Sequence, residues 1–158
     1  MTEQTEQQEL KKGCFLHRER AVEIVDEFLE HNLVDFDDYD PKDEDEAETL
    51  SGLKSAKRVL VKAVERGLLE FKLETDKKGV DRMQSIQNRM IPDQPPIIYG
   101  EVGGIAMSQM KHVGEKNHVG KMHAVMASIS GTNRAFMQGL QGFEHKIMMN
   151  LATIFLAQ

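Results

Sequence analysis

The chain has 158 residues, 40% of them hydrophobic and 29% charged, with a net charge of −6 at neutral pH. That is one domain's worth of chain with a hydrophobic core, and it excludes a disordered tail. No run approaches the ~20 consecutive apolar residues of a bilayer-spanning helix. The first residues are acidic and polar where a secretory signal would be basic and then apolar. With the single cysteine, Cys14, this points to a cytoplasmic protein without disulfides.

The charge is unevenly spread. Between Asp35 and Glu48 stand nine carboxylates and one lysine, so this segment alone carries −8. Residues 1–34 carry −4, while 51–104 and 105–158 carry +3 each. Dense like charge repels and stays solvated, so 35–48 is expected to be an acidic loop or linker. It would join an N-terminal helical arm, 1–34, to a body spanning 49–158. Residues 1–12 are polar and are expected to fray.

In chain order, Ala21, Ile24, Val25, Phe28 and Leu29 recur at helical spacing. Leu53, Ala56, Leu60, Ala63 and Val64 repeat that period. Thr49 or Ser51 is the expected cap at the start of that helix, and Gly67 the expected left-handed stop. At Leu69 the period falls to two: Leu69, Phe71 and Leu73 alternate with Glu70, Lys72 and Glu74, a half-exposed strand. Asp76-Lys77-Lys78-Gly79 is a turn signal. In residues 80–91, Val80, Met83, Ile86 and Met90 allow a helix, and a return strand from Val80 to Ile86 fits nearly as well. Pro92, Pro95 and Pro96 end that element, and Ile97-Ile98-Tyr99 is a short strand. Helices follow at about 105–112, 121–130, 134–140 and 143–157. The expected fold is mainly α (α+β): a helical domain with a small β element, preceded by an acidic helical arm.

Catalytic and metal-binding patterns fail on spacing. An EF-hand frame started at Asp35 puts Tyr39 and Asp40 where a ligand oxygen and a glycine are needed. His112, His118 and His123 are six and five apart, not the three or four that place two imidazoles on one helix face. Gly114 and Gly120-Lys121 miss the phosphate-loop spacing, and Met122 stands at its Ser/Thr position. Cys14 and His17 lie near a chain end, where a preorganised nucleophile is hard to build. No enzyme activity, metal or cofactor is expected. A winged-helix nucleic-acid binder is the alternative from another class. It would use Lys54, Lys57, Arg58, Lys62, Lys77, Lys78 and Arg82 around a helix and a β-hairpin, but the acidic third opposes phosphate attraction.

Ten methionines is a high count, and seven fall in the last third: Met107, Met110, Met122, Met126, Met137, Met148 and Met149. Methionine fills irregular core gaps, and it also builds surfaces that accept varied apolar helices. Met122, Met126 and Ile129 share one helical stripe, and Ile147, Leu151 and Phe155 another. These six are the candidate partner-binding residues, though taken singly each fits core better than groove.

The run from Met122 to Leu156 resembles the end of bacteriophage tail assembly chaperones. Its parts are an apolar helix, a Ser130-Gly131 turn, a short helix ending at Leu140, an acid at Glu144 and a second apolar helix. Leu53 to Lys72, with Ala63-Val64-Glu65-Arg66-Gly67-Leu68, is similar to the helix, glycine and β segment that many members carry upstream. Asn133 stands where the family often has proline, Glu144 where it has aspartate, and the acidic segment has no counterpart. The resemblance implies an assembly factor of the host cytoplasm that binds and solubilises the tape measure protein and recruits tail tube subunits. It also allows a homo-oligomer.

Overall fold

A computed structural model describes Leu10 and residues 13–157, so most of the polar stretch 1–12 lies outside the described residues. The fold is mainly α, of the α+β class. Its elements run α1 (Arg18–His31), α2 (Glu44–Glu65), β1 (Leu69–Thr75), β2 (Asp81–Gln87), β3 (Ile97–Tyr99), α3 (Gly104–Gln109), α4 (His118–Ser130), α5 (Arg134–Gly139) and α6 (Gly142–Phe155). Short 3₁₀ turns stand at Phe36–Asp38 and Met110–His112.

One buried cluster joins helices from both ends of the described chain. Ala21, Val25, Phe28 and Leu29 of α1 join Leu53, Ala56, Leu60, Val61 and Val64 of α2 and Ile147, Leu151, Ile154 and Phe155 of α6 in a single buried cluster. Helix α1, which lies in the expected N-terminal helical arm, spends its apolar stripe on the same core as the body. Phe28 shows this most directly. Its ring stacks on Phe71 of β1 at 4.3 Å and meets Phe155 of α6 edge-on at 5.7 Å.

The acidic segment also differs from the expected loop. Helix α2 begins at Glu44, inside it, and Asp43 is the cap, accepting from the amides of Asp45 and Glu46. Thr49 and Ser51 lie within the helix. The reason is the helix end itself. Its unpaired amides carry a partial positive charge, which stabilises Glu44, Asp45 and Glu46 in the first turn. Only 35–43 is left as connection, and its 3₁₀ turn is held by Asp35 accepting from the Asp37 amide. Gly67 terminates α2 as expected, at φ +70°.

The three strands form an antiparallel sheet in the order β1-β2-β3. Residues 81–87 are therefore strand, with Leu73 opposite Met83 and Phe71 opposite Ser85. In the turn between them the Asp76 carboxylate accepts from the Lys78 and Val80 amides, and these bonds hold its pKa below the ordinary value. Leu69 and Phe71 of β1, with Ser85, Gln87, Ile97 and Tyr99 of the other strands, line the face turned to the helices. Glu70, Lys72, Glu74, Arg82 and Gln84 take the other face. Among the described residues no helix is long and apolar enough to cross a membrane.

Candidate partner-binding surfaces

The six residues singled out by spacing do not form one surface. Met126, Ile147, Leu151 and Phe155 are buried in the core, with nothing left for a partner to touch. Met122 and Ile129 are half-buried and pack against that core from α4. The stripes are real helical faces, but the helices turn them to one another: α4 packs on α6 and α6 on α2. Met137 and Met148 are buried as well.

The apolar surface that does face solvent lies elsewhere. On α3, Ile105 and Met107 are exposed, and so is Val119 at the start of α4, which packs against α3. Met110 between them is half-buried. A second apolar surface runs beside β1. There a groove of about 670 Å³ is lined by Phe15, Leu16 and Ile24 from the α1 side and by Leu69, Phe71 and Leu73 from the strand. Phe15 is 72% exposed and Leu73 53% exposed, so the groove is open along one side.

Glu144, the acid of the family pattern, is a structural clamp. It stands in the first turn of α6, is 6% exposed, and one carboxylate oxygen accepts from Arg89 Nε and from the Met90 amide, both at 2.9 Å. Burial alone would raise its pKa, and the two donors outweigh burial, so the carboxyl titrates below its ordinary value. Its backbone carbonyl accepts from Gln87 Nε2, and Gln87 Oε1 in turn accepts from the Tyr99 hydroxyl. Sheet and last helix are thus joined by one chain of buried polar contacts. Gly131 at φ +66° closes α4 in the left-handed form, and Leu140 is buried, so the other pattern residues also hold architecture.

Two further polar clusters are not legible from spacing. Glu101 accepts from the Met83 amide at 3.0 Å, pairs with Arg82 at 3.1 Å, and lies 2.6 Å from His31 Nε2. Burial opposes ionisation there, yet these partners hold its pKa below the ordinary value. His123 of α4 has its Nε2 3.0 Å from that of His145 in α6. Burial, then the neighbouring His145 and Arg134, lower the His123 pKa, so His123 resists protonation. Among the described residues no group of three or more His, Cys, Asp or Glu side chains could hold a metal. The lysines and arginines of the nucleic-acid reading are partly committed inside the molecule. Lys57 Nζ lies 2.6 Å from Asp26, and Arg82 pairs with both Asp76 and Glu101.

No family model, curated protein or solved structure matches the chain.

Proposed function

We propose that the protein is a non-enzymatic assembly factor of the phage tail chaperone type. It binds the tape measure protein, keeps that long helical chain soluble, and helps tail tube subunits gather around it. The observation that carries this reading is the apolar, methionine-bearing surface of the α3–α4 pair: Ile105, Met107 and Val119 exposed, with Met110 and Met122 half-buried. Unbranched, polarizable methionines repack at little cost against different apolar helices, which suits a partner that repeats its character but not its sequence. The Ser130-Gly131 turn, Leu140 and Glu144 support the same reading through the resemblance, since each occupies a position that shapes the C-terminal half.

Co-expression with a helical tape measure fragment tests the proposal. The native chain is expected to hold the fragment in the soluble fraction. Met107→Glu with Val119→Glu, both at exposed positions, is expected to fold normally and lose that ability. A fragment that stays insoluble beside the native chain overturns the proposal.

A further inference from the structure

The open edge of the sheet carries an inference independent of the chaperone reading. The Asn88 amide donates to the Leu68 carbonyl and the Asp76 amide to the Val80 carbonyl, at the two ends of the β1–β2 pair. In an antiparallel ladder, hydrogen-bonded pairs alternate with non-bonded ones. Even-numbered residues of β1 therefore turn their amides and carbonyls toward β2. Leu69, Phe71, Leu73 and Thr75 turn theirs outward. No backbone bond within the described chain takes those outward groups. The far edge of the sheet differs: β3 is three residues long, and the Gly100 amide that follows it is bonded to the Ile129 carbonyl. So among the described residues β1, seven residues long, is the free edge, and the apolar groove runs beside it.

We infer that this edge is a homodimer interface, in which β1 of two copies pair antiparallel about Phe71 to make one six-stranded sheet. The outward groups allow only odd residues to bond with odd residues across a two-fold axis. Within that parity the charges select the register. Centred on Phe71, Glu70 of each copy faces Lys72 of the other, and no like charges meet. Centred on Glu70, the two Glu70 carboxylates oppose each other. Centred on Lys72, the two lysines oppose, and Glu70 faces Glu74. Centred on Leu73, Lys72 faces Glu74, but Glu70 faces Asp76. Opposite charges directly across a strand pair stabilise it and like charges destabilise it, so one arrangement is favoured.

The apolar face of β1 agrees with this register. Burial falls along the strand, from Leu69 at 1% exposed, through half-buried Phe71, to Leu73 at 53%. Antiparallel pairing about Phe71 sets the exposed Leu73 of each copy beside the Leu69 end of the other, where Phe15 lies over Gly67. Side chains of the incoming strand on this face enter the groove between β1 and α1. Charged residues on an edge strand often serve to prevent pairing. Here Glu70 and Lys72 reject the neighbouring registers and permit one.

Sedimentation velocity of the full chain, with amide exchange by NMR, tests this. A dimer with Kd of about 1–50 μM is expected, as befits an interface near the small end of the stable range. The amides of Leu69, Phe71 and Leu73 are expected to gain protection as concentration rises. Lys72→Glu places like charges opposite twice and should weaken the dimer about tenfold. Glu70→Lys with Lys72→Glu restores the pairing with its signs exchanged and should recover native affinity. Both positions are exposed, so neither variant threatens the fold. A chain that stays monomeric at about 500 μM, tenfold above the weak end of that range, overturns the inference. So does a dimer that ignores the Lys72 charge, or one whose β1 amides remain unprotected, including when an added apolar peptide protects them instead.

Discussion

Replacing Glu144 by glutamine removes one charge while keeping the side chain's shape, and the surroundings of Arg89 set the cost. The Glu144 side chain is 8% exposed, and the Arg89 side chain that it balances is 12% exposed. Without Glu144, Arg89 keeps, among the described residues, the ring of Phe136, 5.6 Å from its guanidinium, as a nearby attraction. Stranding one member of a buried ion pair costs roughly 3–5 kcal/mol. The sliver of solvent at Arg89, and the acceptor oxygen glutamine still offers the Met90 amide, place this case near 2–3 kcal/mol. Losing a negative charge in the first turn of α6 adds about 0.5 kcal/mol. Urea denaturation followed by far-ultraviolet circular dichroism reads the sum. With a slope of about 2 kcal/mol per molar urea, the midpoint should fall by about 1.5 M. Arg89→Met combined with Glu144→Gln should recover a good part of the loss, because no unpaired charge is left inside. The sign of the pH dependence comes from the lowered pKa. The stabilisation from Glu144 is complete above the unfolded value, about 4.3, and is lost as pH falls through the folded one. A Glu144→Gln stability within about 0.5 kcal/mol of native, or a double variant no more stable than the single, would refute the clamp.

Acid should also be felt through His123, whose folded pKa lies below its unfolded value of about 6.5. Its contribution is complete above that value and is lost as pH falls below it, so the denaturation midpoint should decline as pH falls below about 6.5. His123→Gln should flatten that part of the profile, and an unchanged slope would show that the pair with His145 is not responsible. Gly67→Ala should cost about 1–2 kcal/mol, because φ is +70° and the new methyl would stand 2.9 Å from the Phe15 ring. Thermal unfolding checks this, and a neutral result would mean that the end of α2 re-forms with another geometry. Leu33 follows α1 at φ +57° and is 87% exposed, so Leu33→Gly relieves strain without opening a cavity. It should raise stability by about 0.5–1 kcal/mol, and a lower melting temperature would contradict the strain.

How much of the molecule is legible in its sequence depends on how local each feature is. The change of period at Leu69, the Asp76–Gly79 turn and the face of Ile147, Leu151 and Phe155 are written within a few residues, and each is present. Residues 81–87 fit two periods on paper, and pairing with β1 decides between them. The acidic run misleads because charge repulsion alone argues for a loop, whereas the positive helix end at Asp43 draws those carboxylates into α2. For the surface, an i, i+4, i+7 stripe says that one face is apolar without saying what covers it. Met126 and Leu151 face the core, while Met107 lies outside any long stripe and stays exposed. His123 finds its partner, His145, in another helix, so the histidines nearest in sequence are the wrong ones to compare. The free edge of β1 is a property of strand order, which no single segment encodes.

The packing of α6 on α2 bears on how fast the chain can reach its native state. These two helices make an extensive joint surface, yet the whole sheet and three other helices lie between them in sequence. Closing so long a loop costs chain entropy before Leu151 and Phe155 can repay it against Leu60 and Phe28. Helix α2 and the β1–β2 hairpin are local and can form early. Completion must wait for the last helix to arrive, and until then the apolar faces of α1 and α2 are open to solvent. Refolding should therefore be slow for so helical a protein, and substitutions in α6 should speed unfolding more than they slow folding.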